Sequence, residues 1–369
     1  MGTLEEDAKK EIRLLVAGGG TGGHLFPGVA VAKEIRRRFK KAEVLFVTGR
    51  RKMESEVLRN EGFRQVSIAV EGMKGRGLLR GVLVAFKLPW SLFQSLWIIR
   101  GFSPHVVLGV GGYSAGPVCL AARLMGVPSA VHEQNSFPGL TNRLLCRVVN
   151  RVFISFEESR KHFSGGSIRL TGNPIRPDFA AQEVPSDKRG RPFTVLVVGG
   201  SQGARAINGA FLEAMTLLKK KNRSCRVLHQ TGELDYPNTE ALYRERGLEG
   251  EVTPFIQDMA GAYREADLVV SRAGAGAIFE IAAMGKPSLL IPYPFAANRH
   301  QETNAQVLVE AGAAEMILQE NLTGELLADR ITAYMEDRAA LERMAEAARR
   351  VSKPDAAKRI ADGLLELMA

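Results

Sequence analysis

A histidine, His24, directly follows a glycine-rich turn in the stretch LLVAGGGTGGHLFPG. Imidazole titrates near neutral pH, so a histidine on this loop can take a proton from a substrate hydroxyl. The same pattern also fits a histidine that only stabilises the turn. The glycines satisfy the G-x-G-x-x-G dinucleotide fingerprint, but the acidic residue expected about 20 positions later is missing. The next predicted strand ends in Gly49 and Arg50, which leaves open only an NADP site using Arg50 and Arg51.

A glutamate and a group of amides in the second half of the chain suit a nucleotide sugar. The stretch SRAGAGAIFEI places small residues at a turn and Glu280 in the helix that follows. A carboxylate there can accept hydrogen bonds from both hydroxyls of a ribose, although an ordinary surface glutamate is the alternative. The stretch FAANRHQETNA then groups side chains that suit sugar hydroxyls: Asn298, Arg299, His300, Gln301 and Asn304.

The elements that must position these residues alternate between apolar strands and helices. Strands are predicted at IRLLVAGG, AEVLFVTG, HVVLGVGG, PSAVHEQN and NRVFISF, and the pattern restarts after residue 190 with FTVLVVGG, CRVLHQTG, EVTPFI, ADLVVSRAG and PSLLIPYP. This alternation predicts an α/β protein with two doubly wound parallel-sheet domains. Ligands of such domains bind beyond the carboxyl ends of the strands, so we expect a cleft there. The proline-containing stretch Ser167–Phe179 is predicted to be the interdomain linker.

Composition narrows the class of protein. A chain of 369 residues is long enough for two domains. Its three cysteines form no C-x-x-C pair, which indicates a reducing compartment and no zinc site. There is no D-x-D pair to hold a metal ion. The net charge of +10 indicates either a solvated basic surface or an anionic partner.

One segment without acids, Gly72–Gly101, carries five cations and both tryptophans. Charged and polar residues interrupt its centre, so we reject a membrane span. Apolar residues at steps of three to four predict a helix that packs on the core, rests on anionic lipid, or does both. Lipid contacts are predicted for Leu78, Leu79, Phe86 and Trp90, and headgroup contacts for Lys74, Arg76, Arg80 and Lys87.

Seven motifs occur in a fixed order: GGGTGGHLFPG, GVGGYSAGP, HEQNSFPGLTN, TGNPIR, GGSQGAR, SRAGAGAIFEI and NRHQETNA. Together they resemble the MurG family of bacterial glycosyltransferases, which make the peptidoglycan precursor lipid II. The resemblance implies a GT-B fold of two Rossmann-like domains. Residues 1–172 would bind acceptor and membrane, residues 173–353 would bind UDP-GlcNAc, and a last helix, 354–369, would pack back onto the first domain.

The reaction implied by this resemblance is inverting transfer of GlcNAc from UDP-GlcNAc to the MurNAc 4-hydroxyl of lipid I. No cofactor, metal or nucleic acid is expected. The implied partners are the two substrates, an anionic membrane surface and other cell-wall synthesis proteins. The enzyme would act at the cytoplasmic face of the inner membrane, as a peripheral protein needed for cell shape and division. An NAD(P)-dependent oxidoreductase and a UDP-GlcNAc 2-epimerase-like enzyme are the alternatives.

The motifs also assign candidate site residues by resemblance. His24 is the first candidate for the catalytic base, with Glu133 and His132 as rivals. The implied donor-binding residues are Thr21, Gly22, Gly23, Asn135, Arg176, Ser201, Gln202, Gly203, Ile256, Met259, Glu280, His300 and Gln301. The acceptor diphosphate is expected to contact the glycine turns, at Gly20, Gly111, Gly112, Tyr113, Ser114 and His132. A plain tight turn is the alternative for GVGGYSAGP.

Overall fold

The computed structural model describes residues 11–20, 22–70, 78–180, 191–200 and 203–368, without the side chains of residues 78–87 and 180. The chain divides into two compact units. The first unit comprises Met1–Arg176 and Pro354–Ala369, and the second comprises Pro177–Lys353.

The first unit alternates strands and helices around a parallel sheet. Its strands are β1 (Glu11–Ala17), β2 (Lys41–Thr48), β3 (Arg64–Ser67), β4 (Val106–Gly109), β5 (Ser129–Glu133), β6 (Arg151–Ile154) and β7 (Ser167–Leu170). Its helices are α1 (Gly22–Arg38), α2 (Lys52–Asn60), α3 (Leu78–Phe102), α4 (Ala115–Leu124) and α5 (Leu140–Leu145), with a 3₁₀ helix at Glu157–His162.

The seven strands lie in the order β3-β2-β1-β4-β5-β6-β7. The order reverses at β1, whose Leu14 pairs with Val44 of β2 on one side and with Val106 of β4 on the other. Apolar side chains of β1 pack into two separate cores, one on each face of the sheet, with Leu14 in one and Leu15 in the other. Burial on both faces is why the central strands read as continuous apolar runs.

The second unit repeats this architecture. Its strands are β8 (Thr194–Val198), β9 (Arg226–Gln230), β10 (Glu251–Thr253), β11 (Leu268–Ser271), β12 (Ser288–Leu290) and β13 (Ala314–Met316), in the parallel order β10-β9-β8-β11-β12-β13. Its helices are α6 (Pro177–Ala180), α7 (Arg205–Lys220), α8 (Tyr236–Glu245), α9 (Met259–Glu265), α10 (Ala275–Ala283), α11 (His300–Glu310), α12 (Gly324–Glu336) and α13 (Arg338–Val351), with 3₁₀ helices at Ala297–Arg299 and Gln319–Asn321.

The stretch predicted as a linker, Ser167–Phe179, is only partly one. Its first four residues form the edge strand β7, which pairs with β6. The prediction was wrong there because β7 alternates exposed and half-buried residues and so lacks an apolar run. The edge strands β3 and β13 were missed for a similar reason, since neither is fully buried.

The last helix of the chain, α14 (Ala356–Leu365), belongs to the first unit and packs against α1. Arg38 of α1 pairs with Asp362, and the buried Arg151 of β6 donates a 2.6 Å hydrogen bond to the carbonyl oxygen of Gly363. A Cβ added at Gly363 would lie 2.6 Å from the ring of Phe153, so the helix meets the sheet through a glycine.

This contact predicts that alanine substitutions at two helical glycines of the first unit differ in their effect on stability. Gly363→Ala should lower the free energy of unfolding by about 1–3 kcal/mol, because the added methyl group overpacks the Phe153 ring. Gly101→Ala is the matched control, since a Cβ there meets no atom within 4 Å. Denaturant titration measures both. Equal stability of the two variants would contradict the packing described for α14.

Candidate functional site

The turns that follow β1 and β4 lie against each other where the strand order reverses. A Cβ on Gly112 would collide with the carbonyl oxygen of Gly19, and one on Gly111 would lie 2.9 Å from Nδ1 of His24. Gly111 and Gly112 have φ values of +90° and +79°, which other residues rarely adopt. Their contact therefore depends on glycine. It lies at the topological switch point, where doubly wound sheets bind ligands.

His24 lies in the first turn of α1 and not on the loop, because the helix already begins at Gly22. The side chain is half-buried. Its Nδ1 is 2.9 Å from Oε1 of Gln134, while its Nε2 bonds to no group in the described part of the chain. His24 therefore presents one ring nitrogen that can exchange a proton with a ligand.

The two rival bases lie in the interior, at the end of β5, and each is 1% exposed. The Glu133 carboxylate accepts hydrogen bonds from the backbone N–H of Asn135 (3.0 Å), from that of Gly139 (3.1 Å) and from Nδ2 of Asn142 (2.9 Å). A carboxylate held in this way organises the loop after β5 and has no path to a substrate proton.

His132 is bonded at both ring nitrogens. Gln134 Nε2 lies 3.1 Å from its Nδ1, and the carbonyl oxygen of Gly172 lies 3.2 Å from its Nε2. Burial lowers the pKa of His132 to about 4. The structure thus places the predicted acceptor-binding residue His132 behind Gln134, away from any ligand, because its ring is enclosed on all sides.

Glu54 of α2 and Arg51, the residue just before this helix, bind the peptide groups of Gly20, which has a φ of +97°. The buried Glu54 accepts a hydrogen bond from the Gly20 N–H, and Arg51 donates one to the Gly20 carbonyl oxygen. Glu54 occupies the Gly20 N–H in this structure, and the predicted contact of Gly20 with a diphosphate stays a prediction. Sequence reasoning missed Glu54 because it lies in a helix, beyond the strand end where an acid was sought.

The turn after β4 keeps its donors available. The backbone N–H groups of Gly111, Gly112 and Tyr113 donate to no acceptor within the described ranges. Both glycines have positive φ in a tight turn, and successive backbone N–H groups of a turn can bind an anion. Tyr113 is 45% exposed, whereas Ser114 is buried at the start of α4.

The corresponding turn of the second unit follows β8. A Cβ on Gly203, whose φ is +77°, would collide with the carbonyl oxygen of Thr231. Gln230 donates a 3.1 Å hydrogen bond to the Gly200 carbonyl oxygen and accepts one of 3.1 Å from the Ile256 N–H. This amide joins the glycine turn to the segment after β10. The Ile256 N–H is therefore already bonded to Gln230, and only the Ile256 carbonyl oxygen is available for the predicted backbone contact with a ligand.

Glu280 lies half-buried in the second turn of α10, which follows β11. Arg272, at the end of β11, donates to the carbonyl oxygens of Ile291 (3.1 Å) and Pro292 (3.2 Å). The segment after β12 is therefore held beside the end of β11. Sequence reasoning assigned no role to Arg272, although its place at a strand end was a usable signal.

The segment after β12 continues into the predicted sugar-reading residues. The Tyr293 N–H donates to Oε1 of Gln301 (2.9 Å), and Nδ1 of His300 bonds to the Ala297 carbonyl oxygen (2.8 Å). Both predicted side chains are half-buried at the start of α11.

The other predicted donor residues vary in exposure. Asn135 and Arg176 are half-buried, Met259 is buried, and Gly22 and Gly23 are the first two residues of α1. Several predicted residues lie outside the described part of the chain: Thr21, Ser201, Gln202, Lys74 and Arg76, and the side chains of Leu78, Leu79, Arg80, Phe86 and Lys87.

Among the residues that the structure describes, no three His, Cys, Asp or Glu side chains are grouped so as to hold a metal ion.

Two family models match this chain. The N-terminal domain of glycosyltransferase family 28 matches residues 14–154, and its C-terminal domain matches residues 194–360. The chain belongs to glycosyltransferase family 28. The enzyme class predicted from the sequence is therefore confirmed.

Curated relatives of this family 28 glycosyltransferase carry one name, "UDP-N-acetylglucosamine--N-acetylmuramyl-(pentapeptide) pyrophosphoryl-undecaprenol N-acetylglucosamine transferase". The relative from Syntrophus aciditrophicus is 49% identical, over 97% of this chain and 99% of its own. The relative from Geobacter sulfurreducens is 44% identical, over 96% and 98%. The resemblance to the MurG family is thereby confirmed.

Solved structures confirm the predicted fold. Acinetobacter baumannii MurG is 33% identical with a TM-score of 0.78, over 97% of this chain and 100% of its own. A UDP-N-acetylglucosamine 2-epimerase is similar at 13% identity, with a TM-score of 0.67 over 97% of this chain and 96% of its own, which shows the fold alone. The GT-B fold, with two doubly wound parallel sheets, is the fold of this chain.

The buried histidines predict a pH dependence of stability. Burial lowers the pKa of His132 to about 4 and that of His229 to about 3, from an ordinary value of 6.5. The unfolded chain then binds more protons than the folded chain, so the free energy of unfolding should fall as the pH drops from 6.5 toward 4. Denaturant titrations across this range should show a shallower fall for His132→Asn. An unchanged slope in that variant would count against the neutral, enclosed His132.

Proposed function

We propose that this enzyme transfers GlcNAc from UDP-GlcNAc to the MurNAc 4-hydroxyl of lipid I. The hydroxyl oxygen attacks the anomeric carbon from the face opposite UDP, the bond from that carbon to the diphosphate oxygen breaks, and a β-1,4 link forms. The hydroxyl proton passes to Nε2 of His24. The observation that carries this proposal is that Nε2 of His24, beside two glycine turns, bonds to no group among the described residues, in a chain 42–49% identical to transferases of that name.

The second unit supplies features that suit the donor. Glu280 would accept hydrogen bonds from the ribose hydroxyls, and the Ile256 carbonyl would accept one from the uracil ring. The diphosphate would meet the glycine turn after β8 and the N-terminus of α7, where backbone N–H groups favour an anion. These N–H groups would stabilise the charge of the leaving UDP without a metal ion. Gln301 would contact the GlcNAc hydroxyls.

The first unit supplies features that suit the acceptor. The three N–H groups of Gly111, Gly112 and Tyr113 would bind its diphosphate, and His24 lies next to Gly111. A base this close to the diphosphate site lies within reach of the sugar that the diphosphate carries. We propose positioning roles, and no proton transfer, for Glu133 and His132.

The two-substrate reaction predicts UDP release only when UDP-GlcNAc and a short-chain lipid I analogue are both present. His24→Ala should lower kcat by at least about a hundredfold, because general base catalysis contributes roughly 10²–10⁴-fold. The KM for UDP-GlcNAc should change little. His105→Ala is the matched control, since His105 contacts Arg13 at the opposite ends of the strands. Near-normal turnover by His24→Ala would remove it from the role of base, and UDP release without acceptor would count against the transferase.

Membrane contact is proposed for one surface of the first unit. Trp90, Phe93 and Trp97 on α3 are 55%, 59% and 74% exposed. Helix α4, which packs against α3, adds Leu124, and α5, which packs against α4, adds Leu140 and Leu144; all three are more than half exposed. We call these six residues the apolar patch. Exposed apolar side chains in such number mark an interaction surface.

The charge around the apolar patch suits an anionic bilayer. Between residues 72 and 156 the only acidic residue is Glu133, which is buried. The helices of the apolar patch and the turn after α5 therefore expose cations without acids, among them Arg100, Arg123, Arg143 and Arg147. Cations near an anionic leaflet contribute on the order of 1 kcal/mol each. We propose peripheral binding at the cytoplasmic face of the inner membrane on the strength of this charge and of the apolar patch. No helix among the described residues is long and apolar enough to cross a bilayer.

Vesicle binding tests the apolar patch. The enzyme should bind vesicles containing phosphatidylglycerol and should bind pure phosphatidylcholine vesicles weakly. Phe93→Ser combined with Trp97→Ser should reduce binding by at least about tenfold, because two large apolar side chains no longer enter the lipid. Leu234→Ser is the matched control, since Leu234 is 86% exposed but lies in the second unit. If the double variant sedimented with anionic vesicles as well as the parent does, the proposed membrane surface would be wrong.

A further inference from the structure

The side chain of Gln134 lies between two imidazole rings. Its Oε1 is 2.9 Å from Nδ1 of His24, and its Nε2 is 3.1 Å from Nδ1 of His132. Gln134 is only 1% exposed, so no water replaces these contacts. It belongs to the HEQN motif, but its neighbours, and not Gln134 itself, were the candidate site residues of that motif.

Two backbone carbonyls determine the orientation of the Gln134 side-chain amide, that is, the positions of its nitrogen and its oxygen. Nε2 lies 2.9 Å from the carbonyl oxygen of Val110 and 3.3 Å from that of His132. With the amide turned over, Oε1 would face both of these oxygens, and three acceptors would meet without a proton. The amide nitrogen must therefore point to Val110 and His132, and the amide oxygen must point to His24.

The hydrogens on both rings follow from this orientation. An amide oxygen only accepts, so Nδ1 of His24 must carry a proton and donate it. An amide N–H only donates, so Nδ1 of His132 must accept, which requires that ring to be neutral. His132 then carries its proton on Nε2, which donates to the carbonyl oxygen of Gly172 at 3.2 Å. Ser155 Oγ also lies 3.2 Å from this Nε2, and because it donates to the Glu133 carbonyl oxygen at 2.8 Å, it can accept from His132 as well. All of these groups, from Gly172 and Ser155 to His24, are satisfied in this arrangement.

We propose that Gln134 is a positioning residue that holds His24 as its Nδ1–H tautomer and so keeps the lone pair of Nε2 for the acceptor hydroxyl. This inference rests on the proposed role of His24 as base. The other tautomer would place a proton on Nε2, where the substrate proton has to go. In hydrolases that also use a histidine as general base, holding the imidazole in the wrong tautomer lowers the reaction rate by several orders of magnitude.

Nitrogen NMR of the histidine rings tests the tautomer without any substrate. In protein labelled with ¹⁵N-histidine, the His24 signals, assigned by their loss in His24→Ala, should show a protonated Nδ1 and an unprotonated Nε2. In Gln134→Met, which fills similar space but neither donates nor accepts strongly, the Nε2–H tautomer should gain population. A parent His24 with its proton on Nε2 would overturn the inference, whatever the enzyme's activity.

Kinetics separate positioning from a merely structural role. Gln134→Met should lower kcat by at least about tenfold, with the KM for UDP-GlcNAc within about twofold of the parent value. Gln134→Glu should move the acidic limb of the kcat–pH profile to higher pH, because a carboxylate beside the ring favours imidazolium. The second histidine of this chain of contacts, neutral His132, remains in both variants, and so do Glu54 and Arg51, which bind the backbone of Gly20 in the turn before His24. Gln65→Met is the matched control, since Gln65 bonds to Thr48 on the far side of β1.

The outcomes distinguish the two proposals. A parent enzyme that releases no UDP would contradict the proposed function, while the NMR result would still decide the tautomer. A parent enzyme that is active, with a Gln134→Glu profile that does not move and a Gln134→Met kcat that does not fall, would overturn the role of Gln134 alone. Loss of activity together with loss of the folding transition would indicate a structural role only and would also overturn it.

Discussion

The site in the first unit depends on the close approach of two backbone turns. The sheet reverses its strand order between β1 and β4, so the segments after these strands must lie side by side. They approach so closely that Gly112 has no room for a Cβ against Gly19, and Gly111 has none against the His24 ring. The absence of side chains there has two effects: backbone N–H groups face the ligand side, and His24 can lie within reach of Gln134.

The second unit uses the same strand order for binding without a base. Its glycine turn also lies at the reversal, between β8 and β11, and Gly203 meets the backbone of Thr231 as closely as Gly112 meets Gly19. The amide beside the turn is Gln230, which bonds to backbone groups of Gly200 and Ile256 and to no imidazole. In the proposed mechanism, one scaffold therefore carries proton transfer in one unit and nucleotide recognition in the other, according to the side chains at the strand ends.

The sequence predicted those parts of the molecule in which burial and residue type agree. Central strands such as β1 and β8 are buried on both faces and read as apolar runs, whereas the edge strands β3, β7 and β13 are partly exposed and were missed. His24 and Glu280 stood out because their chemistry is rare beside glycine turns. The roles of the residues in the HEQN motif could not be predicted from residue type. All five residues of β5, which ends within this motif, are buried, so a polar side chain there can face either the interior or a ligand.

An amide is the one neutral side chain that can join these two histidines in the interior. A carboxylate at position 134 would accept from His24 but could not donate to His132 or to the Val110 carbonyl, and three acceptors would then face each other. It would also bury a charge, which is costly without a partner. A hydroxyl is too short to span both rings. Glutamine supplies a donor and an acceptor on one rigid group. Burial keeps His132 neutral, so its Nδ1 accepts from the Gln134 amide nitrogen, and the amide oxygen then faces His24 and requires a proton on its Nδ1.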